Sequence, residues 1–334
     1  MKNTRSLSVL DANILYVIGA FLFVIVGAYV QQRDLIVGLL ITEYILVLLP
    51  PFIYLLIRKI NIKNTMRLNK ISLKHGFLVV LITLLMYPAA VFANALGMFL
   101  LSLFGNLNIP QLPTAENVRE YAVLMFIVSI SAGICEEVFF RGFILPGYEP
   151  LGKKKAVVLS AILFGVFHFN LYNLFGPIVL GLVFGYLVIL TDSLYAGIIG
   201  HIANNGFAVT LGFALQFLSK MIEELQDLGM NEAATEVPEV STTVALLISM
   251  ALFGVIALIT GFIAYQLIKV IKKDMAIKEK TGLEDNYSIV EDHDLECEEL
   301  QPKTKFYEFI PLLLILPIVL YVIHVQISEI IRLG

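Results

Sequence analysis

The chain has 334 residues, 58% of them hydrophobic and only 15% charged, with a formal net charge of −4. A soluble domain is about half apolar and a quarter charged, so this composition excludes an ordinary water-soluble globule. The slightly acidic balance offers no basic surface for nucleic acid, and two cysteines, Cys135 in an apolar block and Cys297 in a charged stretch, exclude a disulfide framework.

Apolar blocks fall at about 12–30, 35–57, 76–104, 121–145, 156–169, 174–190, 195–217, 241–268 and 309–325. A bilayer-crossing helix takes roughly 20 residues. The pattern therefore predicts an all-α, polytopic membrane bundle of about 8–9 transmembrane helices. The first block follows Lys2, Arg5 and Asp11 without a small-residue cleavage site and reads as a retained span. Pro50-Pro51 and Pro88 are expected to bend or interrupt their helices. Block 156–169 is short, since about 14 residues rise only ~21 Å. Gly181-x-x-x-Gly185 offers a close helix contact.

With nine crossings, one set of loops holds nearly all the cations: Arg58, Lys59, Lys63, Arg67, Lys70, Lys74, Lys153–Lys155, Lys269, Lys272, Lys273, Lys278, Lys280, Lys303 and Lys305. The other set holds only Arg33, Arg119, Lys220 and Arg332. The positive-inside rule then places the N-terminus in the cytoplasm and the C-terminus outside, in an integral protein expected in a bacterial plasma membrane. The organisation reads as N-terminal membrane helices over 1–117 and a central helix core over 118–217. An acidic outside loop over 218–240 follows, then C-terminal membrane helices over 241–334 around a polar cytoplasmic loop at 272–305. The last span looks like an appendage to the core.

Three polar signatures interrupt the apolar blocks: Glu136-Glu137-x-x-x-Arg141, Phe164-x-x-x-His168 and His201-x-x-x-Asn205. Each ionisable group at a helix centre costs roughly 2.5–3.5 kcal/mol on insertion scales, so their clustering calls for a function. Glu137 and Arg141 share a helix face and can pair. Glu136 points about 100° away, has no cation on its own face and is free to meet another helix. Such a carboxylate can take a proton from water. The bland reading is that both glutamates merely neutralise Arg141. Glu43, in the second span, is left without a functional account. Water must reach a hydrolytic site, so a cavity opening from the cytoplasmic side is expected.

These three motifs, in this order, resemble the CPBP group of intramembrane proteases, which includes the type II CAAX prenyl proteases and the bacterial Abi proteins. The resemblance covers about 118–215 and not the flanking spans. It implies that Glu136 with His168 activates a water, and that His201 with Asn205 forms the oxyanion hole. Glu137, Arg141 and Phe164 would support them. No cofactor is required on this reading. The alternative is zinc held by Glu136, His168 and His201, although no HExxH-type motif is present.

The function expected is an intramembrane endopeptidase acting on membrane-embedded or membrane-associated peptides or proteins, with the lipid bilayer as partner and no nucleic acid. Its rivals are a catalytically silent scaffold or bacteriocin self-immunity protein of the same fold, and a proton-coupled transporter relaying through Glu43, Glu136 and the histidines. No inverted repeat supports the transporter.

Overall fold

A computed structural model describes residues 6–109, 113–227, 241–281 and 304–333. Every regular element among them is helical. We number the helices α1 (Val9–Arg33), α2 (Leu35–Ile57), α3 (Leu73–Ser102), α4 (Val118–Leu151), α5 (Lys153–Val166), α6 (Leu171–Thr191), α7 (Leu194–Asp227), α8 (Thr242–Thr281) and α9 (Phe306–Arg332). All but α5 are long and apolar enough to cross a membrane. The protein is an all-α polytopic membrane bundle.

Local sequence sets the helix starts. Ser8 caps α1 in a capping box with Asp11, Ser72 caps α3, and Asn117 caps α4 through the Glu120 amide. The prolines do not break their spans. Pro50 and Pro51 fall in the first turn after a π-helical stretch at Thr42–Leu48, and α3 runs unbroken through Pro88. A proline in a first turn removes an N–H that needs no intrahelical partner. Further π-helical stretches occur at Met125–Ser131 and Phe140–Ile144, on either side of the glutamate pair. Such widened turns are frequent at functional sites.

Side-chain contacts sort the helix ends into two groups. At one end Arg58 reaches Asp11, Glu308 accepts from the Leu10 amide, and Lys74 and His75 both meet Asp274. Arg67 there bridges Glu149 at 2.6 Å and Asp192 at 2.9 Å, while Asn69 binds both the carbonyl and the carboxylate of Asp192. At the opposite end Asn94 meets Asn173, Asn108 meets Glu329, and Gly105 touches the Ile330 backbone. Among the described residues the helices thus run alternately between two ends in nine segments. The lysine-rich loops of the sequence gather at the first.

The short α5 packs antiparallel on α6. A Cβ added at Gly181 would lie 3.0 Å from Ala161 Cα, and one at Gly185 would lie 3.3 Å from Val157 Cγ1. The Gly181-x-x-x-Gly185 pair therefore makes the close helix contact expected of it. Its 14 residues end at Val166, and a turn through Phe169 closes the remaining distance to α6.

The core lies where α1, α4 and α5 meet, in the ring cluster of Tyr16, Phe139, Phe140, Phe164 and Phe167. Outward-facing apolar residues such as Leu258 and Phe262 of α8 remain exposed, as a lipid-facing helix requires.

Two expected loops are shorter than the sequence suggests. Hydropathy falls at 218, but α7 continues to Asp227 because Glu, Lys, Met and Leu all favour helix. Residues 228–240 lie outside the described residues. Likewise α8 runs to Thr281, covering the start of the 272–305 loop, of which 282–303 lie outside the described residues.

Candidate active site

Helix α4 carries Glu136 and Glu137 into different surroundings. Glu137 is fully buried and its Oε1 accepts from Arg141 Nη1 at 2.6 Å and from His201 Nδ1 at 3.0 Å. Its Oε2 has no hydrogen-bond partner and faces Gly197 of α7, where an added Cβ would come within 2.4 Å. Arg141 is also fully buried. Its Nη2 donates to the Gly181 carbonyl at 3.1 Å, and its guanidinium lies over the rings of Phe164 at 4.5 Å and Phe184 at 5.5 Å. The spacing-based pairing of Glu137 with Arg141 is what the structure shows.

Glu136 retains partial exposure, its side chain 20% accessible. No cation of its own helix reaches it. Its nearest ionic partner is His201 Nε2 of α7 at 3.8 Å, too long for a direct hydrogen bond. His201 therefore stands between the two glutamates, stacked on Phe184 with centroids 5.3 Å apart. A carboxylate can only accept, so the contact with Glu137 fixes a proton on Nδ1.

His168, two residues past the end of α5, donates from Nδ1 to the Phe164 carbonyl at 2.9 Å. Its Nε2 is the ring nitrogen left to face a reactant. The Phe164 ring lies edge-on to both imidazoles, 5.0 Å from His168 and 5.8 Å from His201. Among the described residues no hydrogen bond links His168 to Glu136. Asn205, one turn beyond His201, donates to the Val128 carbonyl at 2.9 Å and accepts from Asn204 at 2.9 Å. An amide has two N–H groups, so Asn205 keeps a second donor.

Antiparallel packing of α4 on α7 creates this register. Ser129 donates to the Ile202 carbonyl at 2.8 Å, and Tyr121 meets Thr210 at 2.9 Å. Asn204, not singled out from the sequence, is buried and holds Asn205; its Oδ1 has no partner. The Asn-Asn dipeptide in an apolar helix was the available signal. Glu43 is buried, with its Oε2 unpartnered, on a π-helical stretch that packs against the glutamate-bearing turns of α4. Among the described residues no three His, Cys, Asp or Glu side chains gather as a metal-holding group.

A cleft of about 360 Å³, lined by Asn108, Phe169, Asn170, Tyr172, Gln326 and Glu329, opens beside the turn after His168. It lies at the end opposite the lysine-rich loops, and Glu136, His168, His201 and Asn205 do not line it.

The site lies in an all-helical membrane bundle, where α4, α7 and the turn after α5 bring two acids, two imidazoles and an amide into one region. Residues 118–207 match the family described as Rce1-like, type II CAAX prenyl endopeptidase. This family region, 118–207, is the stretch that carries Glu136, Glu137, Arg141, Phe164, His168, His201 and Asn205. No curated protein and no solved structure matches the chain.

Proposed function

We propose that this chain is an intramembrane endopeptidase in which Glu136 activates a water molecule. The observation that carries the reading is the division of labour between adjacent acids. Glu137 is consumed by Arg141 and His201, while Glu136 is partly open and faces an imidazole from another helix. A pair serving only to neutralise Arg141 would place both carboxylates on the guanidinium.

In the reaction, the Glu136 carboxylate takes a proton from water as the oxygen attacks a peptide carbonyl carbon. His168, with Nδ1 committed to the Phe164 carbonyl, accepts a hydrogen bond from the same water through Nε2. The carbonyl oxygen becomes an oxyanion. It is met by the spare Asn205 N–H and by the His201 ring, whose Nε2 lies on the Glu136 side. Collapse breaks the C–N bond, and Glu136 returns its proton to the departing amine. Loss of one oxyanion donor typically costs 10²–10³ in rate.

The substrate class is a peptide or protein held at the membrane. The lysine-rich end is the cytoplasmic one on the positive-inside rule, which puts the N-terminus in the cytoplasm. The competing form, a zinc ion on Glu136, His168 and His201, would need these side chains drawn closer than they stand among the described residues, and a chelator series separates the two. The deciding experiment uses purified protein in lipid nanodiscs with a library of membrane-anchored peptides. Cleavage by the wild type and its loss in Glu136→Gln, at unchanged thermal stability, are expected. Retained cleavage in Glu136→Gln would remove Glu136 as the base.

A further inference from the structure

The geometry points to Gln326, on the last span and outside the family region, as a positioning residue for His168. This rests on the protease reading above. His168 is followed by Phe169, whose φ of 48° lies in the left-handed region. A bulky side chain rarely adopts that conformation, so something must hold the turn. Gln326 does so with both ends of its amide. Its Nε2 donates to the Phe169 carbonyl at 3.0 Å, and its Oε1 accepts from the Leu171 amide at 2.9 Å. The two backbone groups fix the orientation of the amide, since a carbonyl only accepts and an N–H only donates. Asn170 closes the same turn from within, accepting from the Tyr172 amide at 2.9 Å.

The turn is what His168 hangs on. Helix α5 has ended at Val166, and the His168 and Phe169 amides bond back to Gly165 and Val166 in a tightening last turn. Without Gln326, the Phe169 carbonyl and the Leu171 amide lose their partners and the left-handed residue can relax. The imidazole then moves relative to Glu136. Misplacement by about 1 Å can cost 10²-fold in rate. The ninth helix, which the sequence presents as an appendage, thereby forms part of the active site's frame.

The test uses the full chain in nanodiscs. Gln326→Met keeps the side-chain length and removes both hydrogen bonds; kcat should fall by about 10- to 100-fold with KM little changed. Phe169→Gly, which is at ease at positive φ, should restore most of kcat in the Gln326→Met background. Glu329→Gln, one turn away on the same helix and bonded to Asn108, should leave kcat at the wild-type level. An independent readout is the histidine-ring ¹⁵N spectrum, assigned with His168→Gln. The wild type should show His168 with its proton on Nδ1, and Gln326→Met should show mixed tautomers. An unchanged kcat and spectrum in Gln326→Met overturns the proposal. So does a loss that Phe169→Gly does not relieve, or an equal loss in Glu329→Gln, which would mean general docking of α9. If the wild type cleaves no peptide, the protease reading fails while the spectrum still decides whether Gln326 positions His168.

Discussion

Replacing Glu137 by Gln leaves the size of the side chain almost unchanged and removes the charge that Arg141 and His201 share. The guanidinium is fully buried, and a buried cation without its partner typically costs 3–5 kcal/mol. We expect Glu137→Gln to lower both thermal stability and activity, whereas Glu136→Gln lowers activity alone. Differential scanning fluorimetry in detergent beside a cleavage assay checks this; equal melting temperatures for the two variants would refute the assignment of separate tasks. The i, i+4 spacing made the Glu137–Arg141 pair legible in the sequence, because both residues lie on one helix. The bond from His201 to Glu137 was not legible, since it joins positions 64 residues apart and depends on how two helices are rotated. The same holds for Asn204, whose burial follows from packing and not from local pattern.

Between helices, the close approaches fall on glycines. At Gly197 an added methyl would lie 2.4 Å from Glu137 Oε2 and 3.0 Å from Val188 Cγ2, both in a filled region. Gly261 of α8, by contrast, has open space around its missing side chain. In a helix Ala is favoured over Gly by roughly 0.5–1 kcal/mol. We therefore expect Gly261→Ala to hold or slightly raise the melting temperature. Gly197→Ala should lower it by several degrees and depress turnover, because α7 must shift away from α4. A neutral Gly197→Ala would mean that the two helices are not in contact at Glu137. The Gly181-x-x-x-Gly185 contact was readable as a small-residue stripe, though its partner, α5, was not. The π-helical stretches flanking the glutamates were invisible to a reading based on a 3.6-residue period. Helices α7 and α8 outrun their apolar blocks, ending at Asp227 and Thr281, since hydropathy marks where the bilayer ends and not where hydrogen bonding does.

For the molecule as a whole, charge and count carried the reading furthest. Alternation of ends through nine segments follows from contacts such as Arg67–Asp192 and Lys74–Asp274, and it agrees with the sorting of lysines and arginines in the sequence. Single cysteines at positions 63 and 153 should react with impermeant maleimides only from the cytoplasmic face, and one at 106 only from the outside. Labelling of 63 and 106 from the same face would contradict the nine-segment path.

The Glu137–Arg141 pair has a meaning for biogenesis. During synthesis α4 leaves the ribosome and meets the membrane about 60 residues before His201 has been made, given the 64-residue separation of the two partners. The nascent segment must partition into lipid while carrying two acids and a guanidinium, each costing a few kcal/mol in isolation. A bond formed within the one helix neutralises two of those charges without waiting for α7. Insertion can then proceed in chain order, and the imidazole arrives later to a carboxylate already held in place. A chain in which the arginine came from a later helix would stall α4 at the translocon with its charges bare.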